Sequence, residues 1–144
     1  MRLTHRSKTL RNCLGRTPLH KEPCKLQNCP LQAPKLCDVK GCVYKVCCNT
    51  CHQVYIGSTK RALHIRIREH LQSPSSSVYQ HLHRHSNTND TNNSSKSKQI
   101  KTIIIDKEQD PINLRFLESL YIKKLKPEIN SRQELSSFDP LIIV

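Results

Sequence analysis

Eight cysteines, in a chain with few other core-forming residues, limit its possible folds more than any other feature of the sequence. Hydrophobic residues make up 35% of the 144, and the aromatic ones are four Tyr, two Phe and no Trp. A domain with so few large apolar side chains needs a staple in addition to burial, either disulfides or a bound metal.

The choice between these staples depends on the compartment in which the protein resides. Residues 1–12 are rich in Arg and contain no acidic residue, but they lack the apolar stretch of a secretory signal. We therefore expect an intracellular chain with reduced cysteines, and import into mitochondria stays open as an alternative. Reduced cysteines in a basic protein are more often metal ligands than disulfide halves, although their even number suits either fate.

The charge of the chain is strongly positive and unevenly distributed. Lys and Arg number 24 against 11 Asp and Glu, a net charge of +13. Residues 1–71 hold 14 basic and 3 acidic side chains, which leaves +11 in that part and +2 in the remainder. Such a field attracts polyanions, so nucleic acid is the first partner to expect and an anionic membrane surface the second. The alternative is a charge that only keeps the chain soluble. No apolar run approaches the roughly 18 residues of a membrane span, so we expect no segment inside a membrane.

Hydrophobic periodicity predicts an α/β (α+β) arrangement. Two β-prone runs flank a turn-forming Cys-Asn-Thr-Cys stretch, which is the pattern of a hairpin. Gly, Ser and Thr at 57–59 are a start signal for the helix that follows, and Asp110-Pro111 is a cap and first-turn pair for the last helix. Leu114, Leu117, Leu120 and Tyr121 form an apolar stripe on that last helix. The predicted elements are strands at 43–46 and 53–56, helices at 61–72 and 78–85, a strand at 99–106 and a helix at 110–126.

These elements divide the chain into three parts. Residues 1–41 are a basic, Cys-rich and irregular arm with four of the eight prolines. Residues 42–130 form one domain, within which 86–98 contain no apolar side chain and are expected to be a mobile loop. Residues 131–144 are a C-terminal tail.

Six polar side chains lie at spacings in the sequence that secondary-structure propensity alone does not require. They are Tyr44 and Tyr55 on the hairpin strands, Arg66 and His70 one helical turn apart, Glu118 inside the last helix, and Asn130 beyond that helix. Together they resemble the GIY-YIG nuclease domain: Tyr55-Ile56-Gly57 is intact, and Cys42-Val43-Tyr44 stands where the family name has Gly-Ile-Tyr. The resemblance covers 42–130 and implies a small three-stranded antiparallel sheet flanked by helices. The Cys48-x2-Cys51 pair between the two tyrosines is similar to the endonuclease domain of Penelope-like retroelements in particular.

Phosphodiester hydrolysis requires a deprotonated water, a cation on the phosphate and neutralisation of developing charge. A single helical carboxylate suits Mg²⁺, or Mn²⁺, better than an all-protein cage would, so Glu118 is the candidate metal ligand. The planar guanidinium of Arg66 suits the phosphate. The resemblance implies that one tyrosine moves the proton, and we assign that role to Tyr44, with Tyr55 orienting the water or phosphate. His70 assists as base or phosphate contact, and Asn130 positions the end of the last helix.

Cysteine and histidine spacing predicts a structural zinc site. Cys48 and Cys51 lie at the tip of the hairpin, and His81 and His85 lie on one face of a short helix. Together they make a Cys2His2 set that would tie the hairpin to the second helix. His83 is an alternative to either histidine, Cys47 is an alternative to Cys48, and reduced thiols beside exposed histidines are the reading without metal. A candidate second tetrad of cysteines comprises Cys24, Cys29, Cys37 and Cys42.

The combined prediction is a zinc-stapled endonuclease that nicks or cuts DNA with one divalent metal and resides in the nucleus. Two other classes stay open. One is a catalytically idle nucleic-acid-binding zinc module, and the other is a purely structural zinc-binding interaction protein.

Overall fold

A computed structural model describes residues 26–27, 29–31, 34–85 and 96–131. The N-terminal part of the predicted arm, most of the predicted loop at 86–98 and nearly all of the tail lie outside the described residues. The elements are α1 (Pro34–Cys37), β1 (Cys42–Cys48), β2 (Val54–Thr59), α2 (Leu63–Gln72), α3 (Ser77–His85), β3 (Ile100–Lys107) and α4 (Pro111–Leu125). No helix in these ranges is long and apolar enough to cross a membrane.

The three strands form one antiparallel sheet, which confirms the prediction, and their order in the sheet is β2-β1-β3. Strand β1 is central and is buried along its whole length. Alternate side chains of the hairpin point to opposite faces, and each face carries its own apolar cluster. Helices α2 and α3 cover one face through Leu63, Ile67 and Leu82, and α4 covers the other face through Leu114 and Ile122.

The predicted start signal of α2 is wrong, and that of α4 is confirmed. Gly57 is not part of a helix start but lies inside β2, where it is paired with Tyr44, so α2 begins only at Leu63. The cap of α4 is as predicted, because the Asp110 carboxylate accepts hydrogen bonds from the backbone N–H groups of residues 112 and 113 at 2.9 Å.

The predicted stripe on α4 is wrong at one position. Leu114 is buried and packs on the sheet, but Leu120 is 39% exposed. At 3.6 residues per turn, Leu120 lies about 120° around the helix from Leu114, so it cannot face the same surface. Leu120 shares the outward side of α4 with Ile112 and Phe116, which are 78% and 40% exposed.

The outer edge of β2 is closed by the segment that follows α4. The N–H of Ile129 donates to the carbonyl of Val54 at 3.1 Å, and the Glu128 carboxylate accepts from the N–H of Val54 at 3.0 Å. An edge strand covered in this way offers no free backbone groups at Val54 for pairing with another chain. The same segment brings Asn130 to the middle of the strand.

Candidate active site

The two tyrosines of the hairpin share one face of the sheet and meet a histidine from α2. Tyr44 is paired with Gly57, and Tyr55 is paired with Val46 two positions along the strands, so the two rings are diagonal neighbours on one face with centroids 6.5 Å apart. The Tyr44 hydroxyl lies 2.6 Å from His70 Nε2, and the Tyr55 ring meets the edge of the His70 ring at 4.9 Å. The structure therefore brings these three predicted residues into one cluster.

Gly57 makes room for this cluster. A Cβ atom added at position 57 would lie 2.5 Å from the Tyr44 hydroxyl oxygen, 2.8 Å from Tyr44 Cζ and 2.9 Å from Tyr55 Cε1. Since carbon atoms do not approach other atoms so closely, any side chain at this position would displace the Tyr44 ring. The glycine of the Tyr-Ile-Gly motif is thus needed for space rather than for an unusual backbone angle.

Burial controls the protonation of Tyr44 and His70. Tyr44 has no exposed surface, and desolvation raises its pKa well above the usual value, with Tyr55 adding to the rise and Arg66 opposing it. His70 is 4% exposed, and desolvation together with the positive charge of Arg66 lowers its pKa to about 3. Both groups are therefore neutral near pH 7, and the Tyr44 proton leaves only with the help of its neighbours.

Arg66 supplies the positive charge of the cluster. It lies one turn before His70 on α2, and its guanidinium donates to the Glu69 carboxylate at 3.0 Å. Arg61 binds the other oxygen of the same carboxylate at 2.6 Å. Burial acts against the charged form of Arg66, but interactions with Tyr44 and Glu69 outweigh it and raise its pKa. Arg66 therefore stays protonated and is oriented between Tyr44 and Glu69.

Glu118 reaches the hairpin from the opposite helix layer. Its carboxylate accepts a hydrogen bond from the Ser58 hydroxyl at 2.7 Å, at the end of β2. Desolvation raises the pKa of Glu118, while the Ser58 hydrogen bond and the positive charges of Arg115 and Arg66 oppose the rise. The carboxylate points at the hairpin, and it is close enough to Arg66 for their charges to interact. A half-buried carboxylate beside a hydroxyl suits a hard divalent cation that keeps several waters.

Asn130 holds the strand that carries Gly57. Its side-chain oxygen accepts from the N–H of Ile56 at 2.9 Å, and its side-chain nitrogen donates to the carbonyl of Ile56 at 2.8 Å. Asn130 is 8% exposed. It therefore pairs with the edge of β2 as a further strand would, directly beside the tyrosine cluster.

The four residues predicted to bind zinc lie together in the structure. One ligand atom from each of Cys48, Cys51, His81 and His85 lies within 4.8 Å of those of the other three. Cys51 Sγ is 3.2 Å from His81 Nε2, and the two histidine rings have centroids 4.7 Å apart. Two sulfur and two nitrogen donors at such distances suit one tetrahedral ion. This cluster, which can hold a metal, links the hairpin tip to α3.

The candidate second tetrad is brought together only in part. Cys29 and Cys37 are buried with their sulfur atoms 2.8 Å apart. Cys42 lies in β1, in the core against α2 and α3, and it forms no group of three close ligand atoms with them among the described residues. Cys24 lies outside the described residues.

Three residues around the site were missed by the sequence analysis. Ser58 binds Glu118, Glu69 binds Arg66, and Ser76 binds His70 at 2.8 Å. The spacing of three between Arg66 and Glu69 on a predicted helix is a signal for an ion pair. No comparable local signal marks the two serines, because their partners lie on other elements.

Comparison with known proteins agrees with this geometry. The family model described as the GIY-YIG catalytic domain matches residues 40–133, well over half of the chain. No curated protein and no solved structure showed a significant match to the chain. GIY-YIG domains are nuclease domains that act on nucleic acid, and nucleases of this family are generally dependent on metal. On the extent of this match, the chain belongs to the GIY-YIG nuclease family.

Proposed function

We propose that this protein is a DNA endonuclease that hydrolyses phosphodiester bonds with Mg²⁺ or Mn²⁺. The observation that carries the proposal is the convergence of two side chains from one helix on one phenol. His70 Nε2 lies 2.6 Å from the Tyr44 hydroxyl oxygen. Arg66, one turn earlier on the same helix, interacts with that hydroxyl through its positive charge and a hydrogen bond. A buried phenol between a neutral imidazole and a fixed positive charge is arranged to give up its proton.

Each residue then has a distinct role. Tyr44 takes a proton from the attacking water, and His70 accepts the Tyr44 hydroxyl proton on Nε2 in exchange for its own Nδ1 proton, so the imidazole stays neutral. Arg66 binds the scissile phosphate and stabilises the charge that develops on it. Tyr55 orients the water or the phosphate at the same sheet face. Glu118 would hold the divalent metal, which supplies charge neutralisation at the phosphate when bound.

We propose that the cysteine and histidine cluster holds zinc in a structural role. The ligand set is the Cys2His2 type, and it joins β1 and α3 in a domain with a small core. The ligand set supports zinc over calcium or magnesium, because thiolate and imidazole are softer donors than carboxylate.

DNA as the substrate, a location in the nucleus and an origin in a Penelope-like retroelement are further parts of the proposal. The net charge of +13 supports a polyanionic substrate. The Cys-x2-Cys pair between the two tyrosines supports the retroelement origin. That pair is also half of the metal-ligating cluster.

One observation favours a second candidate, a nucleic-acid-binding module without activity. Arg66 is engaged by Glu69, and Glu69 is shared with Arg61. If this ion-pair network persists on DNA, Arg66 is unavailable to the scissile phosphate and the protein binds without cutting.

The two functions are separated by a plasmid-nicking assay. Supercoiled plasmid is incubated with Mg²⁺ or Mn²⁺ and wild-type protein, the Glu118→Gln variant, or the Asp38→Asn variant as a control. Asp38 serves as a control carboxylate because its side chain is 79% exposed and its ion pair, at 3.9 Å, is with His64 rather than with a residue of the tyrosine cluster. We expect wild type and Asp38→Asn to nick and Glu118→Gln to bind DNA without nicking. Absence of nicking by wild type with DNA binding intact would favour the second candidate, and equal nicking by all three would remove Glu118 from the mechanism.

A further inference from the structure

A buried chain of hydrogen bonds leads from Tyr44 to the loop between α2 and α3. The Tyr44 hydroxyl lies 2.6 Å from His70 Nε2, and His70 Nδ1 lies 2.8 Å from Ser76 Oγ. Both imidazole nitrogens are thus engaged. Ser76 is held by the backbone on both sides, since its N–H donates to the carbonyl of Ser73 and its carbonyl accepts from the N–H of Gln80.

The two bonds of His70 are coupled to each other. A neutral imidazole has one N–H, so one nitrogen donates while the other accepts. His70 can accept a proton from Tyr44 on Nε2 only when its N–H is on Nδ1, and in that tautomer Nδ1 donates to the Ser76 oxygen. A phenol is a stronger hydrogen-bond donor than a serine hydroxyl, so the favoured arrangement has Tyr44 donating to Nε2 and the Ser76 oxygen accepting from Nδ1. Loss of the Ser76 hydroxyl removes the acceptor of Nδ1–H and therefore this preference.

Ser76 is the residue at which this chain of hydrogen bonds reaches solvent. Tyr44 has no exposed surface and His70 is 4% exposed. Ser76 lies on the wall of a cleft of about 330 Å³, together with His70, Arg66, Glu69, Ser73 and Ser75. A proton that leaves the buried pair through Ser76 therefore arrives in a space large enough for water.

The other groups that face His70 are less suited to this transfer. Arg66 on α2 is a cation and offers no acceptor. Glu69 binds Arg66 and Arg61 through its two oxygens. From β2, the Tyr55 ring packs against the His70 ring with centroids 4.9 Å apart, and the two imidazole nitrogens are engaged by Tyr44 and Ser76.

We propose that Ser76 is the positioning residue that fixes the His70 tautomer and relays the Tyr44 proton to the cleft. The proton of the Tyr44 hydroxyl moves to His70 Nε2, and the proton on Nδ1 moves to Ser76 Oγ. The original hydroxyl proton of Ser76 passes to a water in the cleft. One proton leaves, and Tyr44 remains as the tyrosinate that acts on the attacking water. This inference rests on the proposed nuclease function.

The test compares Ser76→Ala with Ser76→Thr, which keeps the hydroxyl, and with Ser75→Ala as a matched control. Ser75 lines the same cleft, but its hydroxyl bonds to Ser73 at 2.8 Å. Single-turnover nicking rates are measured against pH at saturating protein. We expect Ser76→Ala to be slower by about tenfold or more, with the ascending limb of its profile moved to higher pH. Ser76→Thr and Ser75→Ala should follow wild type. An unchanged profile in Ser76→Ala, or an equal loss in Ser76→Thr, would overturn the proposal.

A second measurement does not depend on activity. The ¹⁵N chemical shifts of the His70 ring report which nitrogen carries the proton. We expect a single Nδ1–H tautomer in wild type and a mixture of tautomers in Ser76→Ala. An Nε2–H tautomer in wild type, or identical shifts in the two proteins, would refute the role of Ser76 whether or not the protein nicks DNA. Failure of wild type to nick, in contrast, refutes the nuclease function.

Discussion

Substitution of Gly57 by Ala tests whether the tyrosine cluster needs an atom-free space on β2. The added Cβ would lie 2.5 Å from the Tyr44 hydroxyl oxygen, against an ordinary contact of about 3.4 Å. The hydroxyl must therefore move by about 1 Å, which is enough to break its 2.6 Å hydrogen bond to His70. The backbone itself is unstrained, because Gly57 adopts the extended conformation of a paired strand residue.

Two effects of different size follow from this displacement. Overpacking of a core typically costs about 1 to 3 kcal/mol, so the free energy of unfolding should fall by that amount. A misplacement of about 1 Å at reacting groups can cost about a hundredfold in rate, so nicking should fall far more than stability. Urea unfolding gives the first quantity, and single-turnover plasmid nicking at saturating protein gives the second.

A double-mutant cycle identifies the atom responsible. Tyr44→Phe removes the oxygen that the new Cβ would strike, although Cζ would still lie 2.8 Å away. We therefore expect Gly57→Ala to cost less stability in the Tyr44→Phe background than in wild type, with a coupling of about 0.5 kcal/mol or more. Equal costs in both backgrounds, or a Gly57→Ala protein with wild-type stability and rate, would refute the steric reasoning.

Three further predictions concern the zinc cluster, the β2 edge and the buried histidine. His85→Ala should bind less than one equivalent of zinc by metal analysis, whereas His83→Ala should retain it, because only His85 lies in the ligand cluster. Asn130→Ala should lower the free energy of unfolding by about 2 kcal/mol in urea denaturation, since the backbone N–H and carbonyl of Ile56 lose their buried partner. His70 has a pKa lowered from 6.5 to about 3, so between these values the unfolded state binds more protons and stability falls as the pH falls. Between about pH 8 and about pH 5 this loss is about 2 kcal/mol, and His70→Gln should lack it. Wild-type zinc content in His85→Ala, wild-type stability in Asn130→Ala, or parallel pH curves for wild type and His70→Gln would each contradict the corresponding prediction.

Much of the fold was predictable because its local signals agree with its packing. The hairpin, the strand β3 and the capped helix α4 each combine a periodic apolar pattern with turn or cap residues in one short segment. The zinc-ligand set was predictable for the same reason, since each half consists of two donors close in sequence. The register of β1 and β2 then places Tyr44 and Tyr55 on one face.

The parts that were missed depend on contacts between distant segments. Gly-Ser-Thr at 57–59 predicts a helix start, because this combination is a common start signal, but pairing with Tyr44 keeps Gly57 in β2. Ser58 and Ser76 find their partners 60 and 6 residues away on other elements. Leu120 has the residue type of a core position and lies on the outward side of α4. For Gly57, Ser58 and Ser76 the tertiary contact decides, and the local sequence does not encode it. Leu120 differs, because the period of the helix itself turns this residue away from Leu114.

Side-chain packing explains why this chain has the second glycine of the family motif, Gly57, but has Cys42 in place of the first. Position 57 lies under the Tyr44 ring, where a Cβ has no space. Cys42, in the place of the first motif glycine, has no exposed surface and contributes to the core that packs against α2 and α3. Burial raises the pKa of its thiol to about 11, so Cys42 stays protonated and behaves as a small apolar side chain. A glycine at 42 would leave that volume unfilled, whereas any other residue at 57 would displace the phenol on which the proposed chemistry depends.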